Sequence, residues 1–494
     1  MMMLLLAACS DSAGPKDTRT AGLVIWTFAS ATDTVNAGPI KVYARLLDDD
    51  LRPVVGAQIT FSALQSPTDY LAAFADTGAA RPAYAIFNTT TDSLGEAAVS
   101  MWHSTVAATG ALQGEARVGT NPSGVFSTTS IPLATLPGHA VGVRISPRDT
   151  ALYKGNSATI LGGVVDRYGN LRDERASLIA LTEGLDANGA TVTATADPSR
   201  QQYRAAWQGF ADTGYISIVP KGTIAAREIG RPGPAYDYAF VSLELDGSAF
   251  TPFLSRLPPP HYGSCCSDMG PQWEPGDSTL IFFDGSDYTR LFRTTRDGAV
   301  APLLLSTEAA NDLWPQISTD AQWVYFARTW LGSYQSYIFR SHRDGSQLEQ
   351  VTPSVGPYTN DLYPSPSPDG RNVVFATDRE GNISSLHLQV IDTETGSVRS
   401  LGIAGTIPRW SPNGDLIVFG QADALWVVAP DGTGLRQLSL PGRGYKAWAS
   451  WSPDGKWIVA EHFGPTIDLI EVATGMTLPL AFTGYLTVPA WQHH

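Results

Sequence analysis

The sequence predicts an all-β protein in which two β-sandwich domains precede a six-bladed β-propeller with a composite last blade. Three observations support this prediction. A turn-and-strand motif recurs through the second half of the chain, a glycine turn alternates with it, and the first half repeats a different strand pattern. Repeats of about 40 to 50 residues with strand-type periodicity are typical of propeller blades.

The recurring motif is a Trp or Pro, a turn of the Ser-Pro-Asp-Gly type and a short apolar strand. Its clearest copies begin at Trp410 and Trp451, and a weaker copy begins at Pro366. Pro presets the turn, Asp caps it and Gly takes its left-handed position. The motif therefore predicts two strands joined by a turn, with the flat Trp at the seam between neighbouring blades. Drifted or partial copies begin at Trp273, Ile317 and Ala490.

The alternating glycine turn sets the number of blades. Its copies are Asp246-Gly247, Asp297-Gly298, Asp344-Gly345, Thr395-Gly396, Asp431-Gly432 and Thr474-Gly475. The first copy precedes every Trp motif, whereas the last Trp motif lacks a second half. The two ends therefore complete each other in a sixth blade, in which residues 488–491 pair with strands near residues 238–253. Such closure removes exposed sheet edges.

The order Pro-x-Trp-Ser-Pro-Asp-Gly, an apolar strand, a strand ending in Asp-Gly and a short strand such as residues 435–439 or 348–352 resembles the WD-like repeat of TolB-type propellers. The resemblance covers about half the chain and is specific for the fold. It implies binding of proteins or peptides in the cell envelope, as in most members of that group. Propellers host binding, scaffolding and catalysis alike, so the fold alone leaves the function open.

The N-terminal segment Leu6-Ala7-Ala8-Cys9-Ser10 resembles the lipobox of bacterial lipoproteins. The resemblance implies cleavage before Cys9, acylation of that residue and export. The preceding apolar segment is short and carries no Lys or Arg, which a translation start assigned too late would explain. Residues 1–19 are interpreted as a signal remnant and linker. We expect a chain anchored to a bacterial membrane, on the periplasmic side of the outer membrane or on the cell surface, because several acyl chains hold a protein there stably.

Composition agrees with this organisation. The chain has 494 residues, which is too long for one core, and about three domains are expected. Its 33 basic and 47 acidic residues give a net charge of −14. This charge disfavours nucleic acid and anionic lipid surfaces as partners.

The first half is expected to form two domains, residues 20–137 and 138–231, before the propeller at residues 232–494. The strand at residues 53–61 and the turn and strand at residues 91–99 resemble bacterial Ig-like domains of the invasin type. Residues 155–166 align loosely with residues 38–48, so the second domain resembles another branch of the same fold. Neither contains an antibody-type disulfide, because no Cys occurs between Ser10 and Ser264. Their position between anchor and propeller favours a spacer function.

Two adjacent cysteines, Cys265 and Cys266, leave three interpretations open. In an oxidising envelope they form a strained vicinal disulfide, they remain an inert pair, or they have a metal or redox role. The spacing of His, Cys and Asp nearby does not support a metal site.

Catalytic motifs are absent from the sequence. It contains no Gly-x-Ser-x-Gly, no His-Glu-x-x-His, no phosphate-binding loop and no Gly-x-Gly-x-x-Gly. We therefore expect no enzymatic activity, no catalytic residues, no cofactor and no metal.

The sequence thus favours a lipid-anchored envelope protein whose propeller binds a protein or peptide partner. Exposed aromatic residues make good contact anchors. The candidates for the ligand surface are Tyr288, Trp330, Tyr334, Tyr358 and Tyr445. One alternative is a propeller enzyme acting on polysaccharide, a lyase or glycosidase, which would bring two or more Asp, Glu or His side chains together at one end of the channel. The other is an adhesive or structural surface protein that binds through its Ig-like domains.

Overall fold

The computed structural model describes residues 22–27, 32–34, 39–48, 50–63, 72–75, 85–105, 107–117, 127–229, 239–254, 270–274, 279–284, 289–295, 303–304, 310–356, 359–379, 385–439, 444–462, 467–480 and 485–492. Every helix or strand in these ranges is a β-strand, as the sequence predicts. No helix that could cross a membrane occurs among them.

The first nine strands form two sheets, of order β1-β3-β7-β5 and β2-β9-β8-β4-β6. They are β1 (Gly22–Thr27), β2 (Thr32–Thr34), β3 (Ile40–Leu47), β4 (Gln58–Ser62), β5 (Ala72–Ala75), β6 (Ile86–Thr90), β7 (Glu96–His103), β8 (Ala108–Arg117) and β9 (Ser127–Leu136). Burial alternates along β3, as expected for a strand with one buried face. Val42 and Leu46 of the first sheet share one apolar core with Ile59, Phe61 and Leu112 of the second. The two sheets therefore form a sandwich.

The next ten strands form three smaller sheets, of order β10-β13-β14, β11-β19-β18-β15 and β12-β17-β16. They are β10 (Ala140–Ser146), β11 (Asp149–Tyr153), β12 (Ser157–Thr159), β13 (Leu161–Asp166), β14 (Leu171–Arg175), β15 (Ser177–Ala180), β16 (Leu185–Asn188), β17 (Thr191–Ala194), β18 (Ser199–Trp207) and β19 (Phe210–Val219).

A buried carboxylate organises the turn between β13 and β14. Asp166 is 2% exposed, and it accepts hydrogen bonds from the backbone N–H groups of Gly138, Tyr168 and Asn170 at 2.8, 2.8 and 3.0 Å. Burial raises the pKa of this carboxyl, but the hydrogen bonds from the Asn170 side chain and from these backbone groups outweigh it, so the pKa of Asp166 lies below its ordinary value. The turn is thus held by an ionised side chain.

By contacts, the described chain divides into two units. One comprises residues 1–146, 160–178 and 204–213, and the other comprises residues 147–159, 179–203 and 214–494. The domain predicted at residues 138–231 contributes to both.

Six four-stranded antiparallel sheets follow in the described part of the chain from residue 223. We number them sheet 1 (β23–β26), sheet 2 (β27–β30), sheet 3 (β31–β34), sheet 4 (β35–β38), sheet 5 (β39–β42) and sheet 6 (order β22-β21-β20-β43). The strands of sheets 6 and 1 are β20 (Thr223–Ile229), β21 (Ala239–Glu244), β22 (Phe250–Leu254), β43 (Tyr485–Trp491), β23 (Gln272–Trp273), β24 (Thr279–Asp284), β25 (Arg290–Thr295) and β26 (Leu303–Leu304).

The strands of sheets 2 to 5 complete the region. They are β27 (Ala310–Ile317), β28 (Trp323–Trp330), β29 (Ser336–His342), β30 (Glu349–Gln350), β31 (Asp361–Pro366), β32 (Asn372–Thr377), β33 (His387–Asp392), β34 (Val398–Ala404), β35 (Thr406–Trp410), β36 (Ile417–Gln421), β37 (Ala424–Val428), β38 (Arg436–Gln437), β39 (Tyr445–Trp451), β40 (Trp457–His462), β41 (Ile467–Glu471) and β42 (Thr477–Leu480).

Sheet 6 joins strands from the two ends of this region. The C-terminal strand β43 pairs with β20, in a register that sets Trp491 opposite Ile224 and Tyr485 opposite Ile229. The sequence predicts pairing with the strands near residues 238–253 instead. Those strands, β21 and β22, lie in the same sheet, but β20 stands between them and β43. The difference arises because residues 229–234 read as a joint between domains, whereas they begin the connection between two neighbouring strands.

Neighbouring sheets pack through alternate side chains of their middle strands. Val324 and Phe326 of β28 pack with residues of sheet 1, while Tyr325 and Ala327 pack with residues of sheet 3. This follows because successive side chains of a strand point to opposite faces. Similar clusters join sheets 3 and 4, 4 and 5, and 5 and 6, and Phe240 of sheet 6 packs with sheet 1. The series therefore returns from sheet 6 to sheet 1.

The Trp motif behaves as the sequence predicts. Asp454 accepts hydrogen bonds from the Ser452 hydroxyl at 2.6 Å and from the Lys456 N–H at 3.0 Å, and Gly455 has a φ of 69°. The preceding Trp451 lies in the cluster between sheets 4 and 5, and its indole N–H donates to the Arg409 carbonyl at 3.0 Å. The Asp and Gly residues of the motif therefore form turns, and the Trp fills a seam.

Strand β11 also packs against sheet 6 within the second unit. The Tyr153 hydroxyl donates to the Glu244 carboxylate at 2.7 Å and accepts the Leu245 N–H at 3.2 Å. Burial, together with the hydrogen bond to Glu244, raises the pKa of Tyr153 well above its ordinary value. Ala151 of the same strand belongs to the apolar cluster of sheets 5 and 6.

Candidate functional site

One edge strand from each of sheets 2 to 6 contributes to an apolar cluster. These strands are β27, β31, β35, β39 and β43. Ile407, Trp448 and Val488 are buried together, and Trp314 and Tyr363 pack against them. We call these five residues the central cluster. Each comes from a different sheet, and the ring centroids of Trp314 and Tyr363 lie 4.2 Å apart, with Tyr363 and Trp448 at 6.3 Å. Gly270 occupies the equivalent place before sheet 1, where an added Cβ would lie 3.4 Å from the Cβ of Val488.

Backbone strain recurs in the central cluster. Trp314, Tyr363, Ile407 and Val488 have φ values of 54°, 56°, 51° and 47°, and a Pro follows each of them. A side chain in this left-handed region costs about 1 to 2 kcal/mol. The strain accompanies an interruption of the pairing register in each first strand. The sequence shows a Pro near the start of most copies of the Trp motif. It does not show that the residue before this Pro lies in a shared cluster, so the cluster could not be predicted.

Three buried carboxylates of sheets 1 to 3 are each paired with an arginine. Arg328 donates to both carboxylate oxygens of Asp312 at 2.7 and 2.8 Å, and neither side chain is more than 2% exposed. Asp361 is paired in the same way with Arg379. In sheet 1, Arg293 pairs with the buried Glu274, and this hydrogen bond raises the pKa of Arg293 despite the opposing effect of burial. These acids therefore serve as counter-ions.

Tyr445, one of the predicted ligand-surface residues, is buried. It is 2% exposed, and its hydroxyl donates to Asp468 at 2.7 Å. His462 Nε2 lies 3.8 Å from the same carboxylate, so three polar side chains of sheet 5 meet there. Across the described ranges, no three His, Cys, Asp or Glu side chains form a group that could hold a metal ion.

Trp330 and Tyr334, in contrast, lie on an exposed hairpin. Residues 330–335, which we call the aromatic hairpin, join β28 to β29. Trp330, Leu331 and Tyr334 are 40%, 48% and 80% exposed. The turn is closed by a hydrogen bond from the Ser333 N–H to the Trp330 carbonyl, with Gly332 at a φ of 80°. The other predicted residues, Cys9, Cys265, Cys266, Tyr288 and Tyr358, lie outside the described residues.

Two neighbouring side chains hold the Trp330 ring in place. The Arg328 guanidinium carbon lies 5.3 Å from its centroid, and the Phe339 ring meets it edge-on at 6.3 Å. Arg328 is itself fixed by Asp312. Among the tryptophans with described burial, only Trp330 is exposed to this degree. The hairpin thus presents a large, pre-positioned aromatic surface to solvent.

Comparison with known proteins gives partial matches. No family model matches the chain. It is 31% identical over 160 residues to an uncharacterized protein of Agrobacterium fabrum, which covers 30% of this chain and 52% of that protein. It is 32% identical over 146 residues to a protein TolB homolog of Chlorobium luteolum, which covers 28% of this chain and 32% of the homolog. The chain thus spans about half and about a third of the length of these relatives.

Among solved structures, TolB from Acinetobacter baumannii aligns with 60% of this chain and 80% of its own, with 19% identity and a TM-score of 0.43. The sequence similarity to the TolB homolog supports a propeller of the TolB type. It agrees with the resemblance found in the repeated motif.

Proposed function

We propose that this chain is a lipid-anchored envelope protein that binds a protein or peptide partner through the aromatic hairpin of a six-bladed propeller. The observation that carries the proposal is the exposure of Trp330 and Tyr334 on one hairpin, while most other tryptophans of the region fill seams. Large aromatic side chains dominate the energetics of many protein interfaces. Because Trp330 is already fixed by Arg328 and Phe339, binding orders little that is not ordered beforehand.

Two observations favour the six-bladed architecture. Each of the six four-stranded sheets packs on the next, and sheet 6 packs on sheet 1. The composite sheet 6 then corresponds to the last blade, closed by β43.

We assign a spacer function to the two predicted Ig-like domains, residues 20–137 and the part of residues 138–231 that precedes β20, because β20 belongs to sheet 6. The sandwich of β1 to β9 around one apolar core favours this assignment for the first domain. An exported location, with anchoring through Cys9 to the outer membrane or cell surface, follows from the lipobox resemblance.

The partner-binding proposal predicts site-specific crosslinking from the hairpin. A photoreactive phenylalanine analogue at Tyr334 should crosslink a partner in the native envelope, whereas the same analogue at Leu435 should not. Leu435 is also exposed, at 46%, but lies in sheet 4 outside the hairpin. Trp330→Ala should reduce capture by the Tyr334 probe about tenfold or more, because removing a central aromatic contact costs about 2 kcal/mol or more. Equal crosslinking from both positions would contradict the proposal.

The anchoring proposal predicts a different outcome for Cys9→Ser. The variant should lose incorporation of labelled palmitate and move from the membrane fraction to the soluble envelope fraction, because an unacylated chain has no stable membrane attachment. Ser10→Ala is the matched control and should remain acylated. A Cys9→Ser protein that stays on the membrane would refute lipid anchoring.

A further inference from the structure

Sheet 4 departs from the other sheets at one position of its first strand. The position compared is two residues after Gly270 or after the central-cluster residue of each sheet. It is occupied by Gln272, Gln316, Ser365, Arg409, Ser450 and Ala490 in sheets 1 to 6. Five of these residues are neutral. The hydroxyls of Ser365 and Ser450 accept hydrogen bonds from the backbone N–H groups of Trp410 and Trp491 in the next sheet, both at 2.9 Å. A neutral residue therefore satisfies the structural requirement of this position, and the repeat gives no reason for an arginine.

Arg409 is buried without a counter-charge. It is 6% exposed, and its guanidinium donates to the Pro408 carbonyl at 2.9 Å. No carboxylate in the described part of the chain lies within ion-pairing distance of it. In sheets 2 and 3 an acid, Asp312 or Asp361, stands two residues before the central-cluster residue. In sheet 4 Gly405 occupies this place.

An uncompensated buried charge is expensive, so its retention calls for an explanation. Removing one partner of a buried ion pair costs a protein far more stability than replacing both partners. The buried Arg328 and Arg379 each have an acid, but Arg409 has none among the described residues. Burial lowers the pKa of Arg409 to about 10, so the side chain remains charged at neutral pH. A guanidinium offers five N–H donors in a planar fork, of which the Pro408 carbonyl accepts one.

The guanidinium lies beside the central cluster. Its carbon is 6.0 Å from the Trp448 ring centroid, and Tyr363 interacts electrostatically with its charge. Tyr363 and Trp314 are only partly buried, so solvent reaches part of each side chain. The buried indole N–H of Trp314 finds no acceptor within the described ranges. Aromatic surface, a cation and an indole donor are thus grouped around the central cluster.

We infer that Arg409 and the central cluster form a second binding site, separate from the aromatic hairpin, for a carboxylate attached to a planar or apolar body. A carboxylate matches the guanidinium fork with two parallel hydrogen bonds. A single cation balances one negative charge, which favours a carboxylate over a doubly charged phosphate. The apolar body of the ligand would lie against Tyr363 and Trp314.

The test uses the full chain with benzoate and benzamide, which have the same shape and differ in charge. At constant ionic strength, benzoate should raise the Tm of the wild-type protein with a saturable dependence on concentration, and benzamide should not. Arg409→Gln, which introduces the residue of sheets 1 and 2, should weaken benzoate binding about tenfold to a hundredfold by titration calorimetry. The control Arg399→Gln should bind as the wild type does, because Arg399 also donates to a Pro carbonyl but is exposed.

A second measurement separates binding from a structural role. Without ligand, Arg409→Gln should keep or raise the Tm, because it removes a buried charge that has no partner. A fall in Tm would show that Arg409 stabilises the fold through the protein's own contacts, and it would overturn the inference. So would equal binding of benzoate to wild type and variant. N-acetylphenylalanine, with its amide as the uncharged control, then distinguishes the end of a peptide from a free small acid. A site for a peptide end should bind N-acetylphenylalanine at least as well as benzoate.

Discussion

An Asp312→Asn variant is expected to lose about 3 to 5 kcal/mol of the free energy of unfolding, because it leaves the buried guanidinium of Arg328 without its counter-charge. The two side chains form two hydrogen bonds at 2.7 and 2.8 Å and are almost wholly buried. The substitution keeps the shape of the side chain, so the loss reports on charge rather than volume. Chemical denaturation followed by tryptophan fluorescence measures it.

Sheet 2 also supplies the control for this variant. Arg340 and Glu349 form an ion pair whose side chains are 23% and 46% exposed. Exposed pairs contribute about 0 to 1 kcal/mol, so Glu349→Gln should change the stability little. Replacing both partners of the buried pair, by Asp312→Leu with Arg328→Met, should recover most of the loss. If Asp312→Asn costs no more than Glu349→Gln, the buried pair is not a stabilising element.

A Trp491→Ala variant is expected to lose about 3 to 5 kcal/mol, the usual cost of truncating a buried Trp. Trp491 is 3% exposed, and it packs in the cluster between sheets 5 and 6. Its backbone N–H donates to the Ser450 hydroxyl at 2.9 Å, and an added Cβ on Gly222 would lie 2.9 Å from its ring. The substitution therefore opens a cavity where the two ends of the six-sheet region join.

Thermal and chemical denaturation measure this effect. Tyr334→Ala is the control, because it also removes a large aromatic side chain but at a position that is 80% exposed. Its stability should stay within about 0.5 kcal/mol of the wild type. A Trp491→Ala protein as stable as this control would mean that the Trp491 side chain does not stabilise the join between the two ends.

The local elements of the second half could be predicted because their causes lie within a few residues. The Ser-Pro-Asp-Gly turn is fixed by its own side chains, as in Ser452 and Asp454, and the strand after it by a short run of apolar residues. The position of β20 could not be predicted this way. Its partner β43 lies at the far end of the chain, and nothing within residues 223–229 distinguishes an outer strand of a sandwich from a strand of sheet 6.

The candidate site was predictable only in part, for a similar reason. Trp330 ends β28 and Tyr334 lies in the turn after it, two residues beyond Gly332, and both are exposed as expected. Tyr445 follows a glycine-rich turn and reads as a loop residue, but the contact that buries it comes from Asp468 on another strand. Arg409 gives no signal on its own. It stands out only when the first strands are aligned by their interrupted register and each charge is matched with its neighbours.

The pairing of β20 with β43 also determines when sheet 6 can be completed during synthesis. The partners Ile229 and Tyr485 are separated by roughly 260 residues, which a ribosome adds in about 13 to 50 s at typical rates. Until then, one edge of β20 and its apolar residues Ile224 and Ala226 have no strand to cover them. The nascent chain therefore carries an open edge for about half of its elongation, and a chaperone that shields strand edges has its greatest effect during that interval.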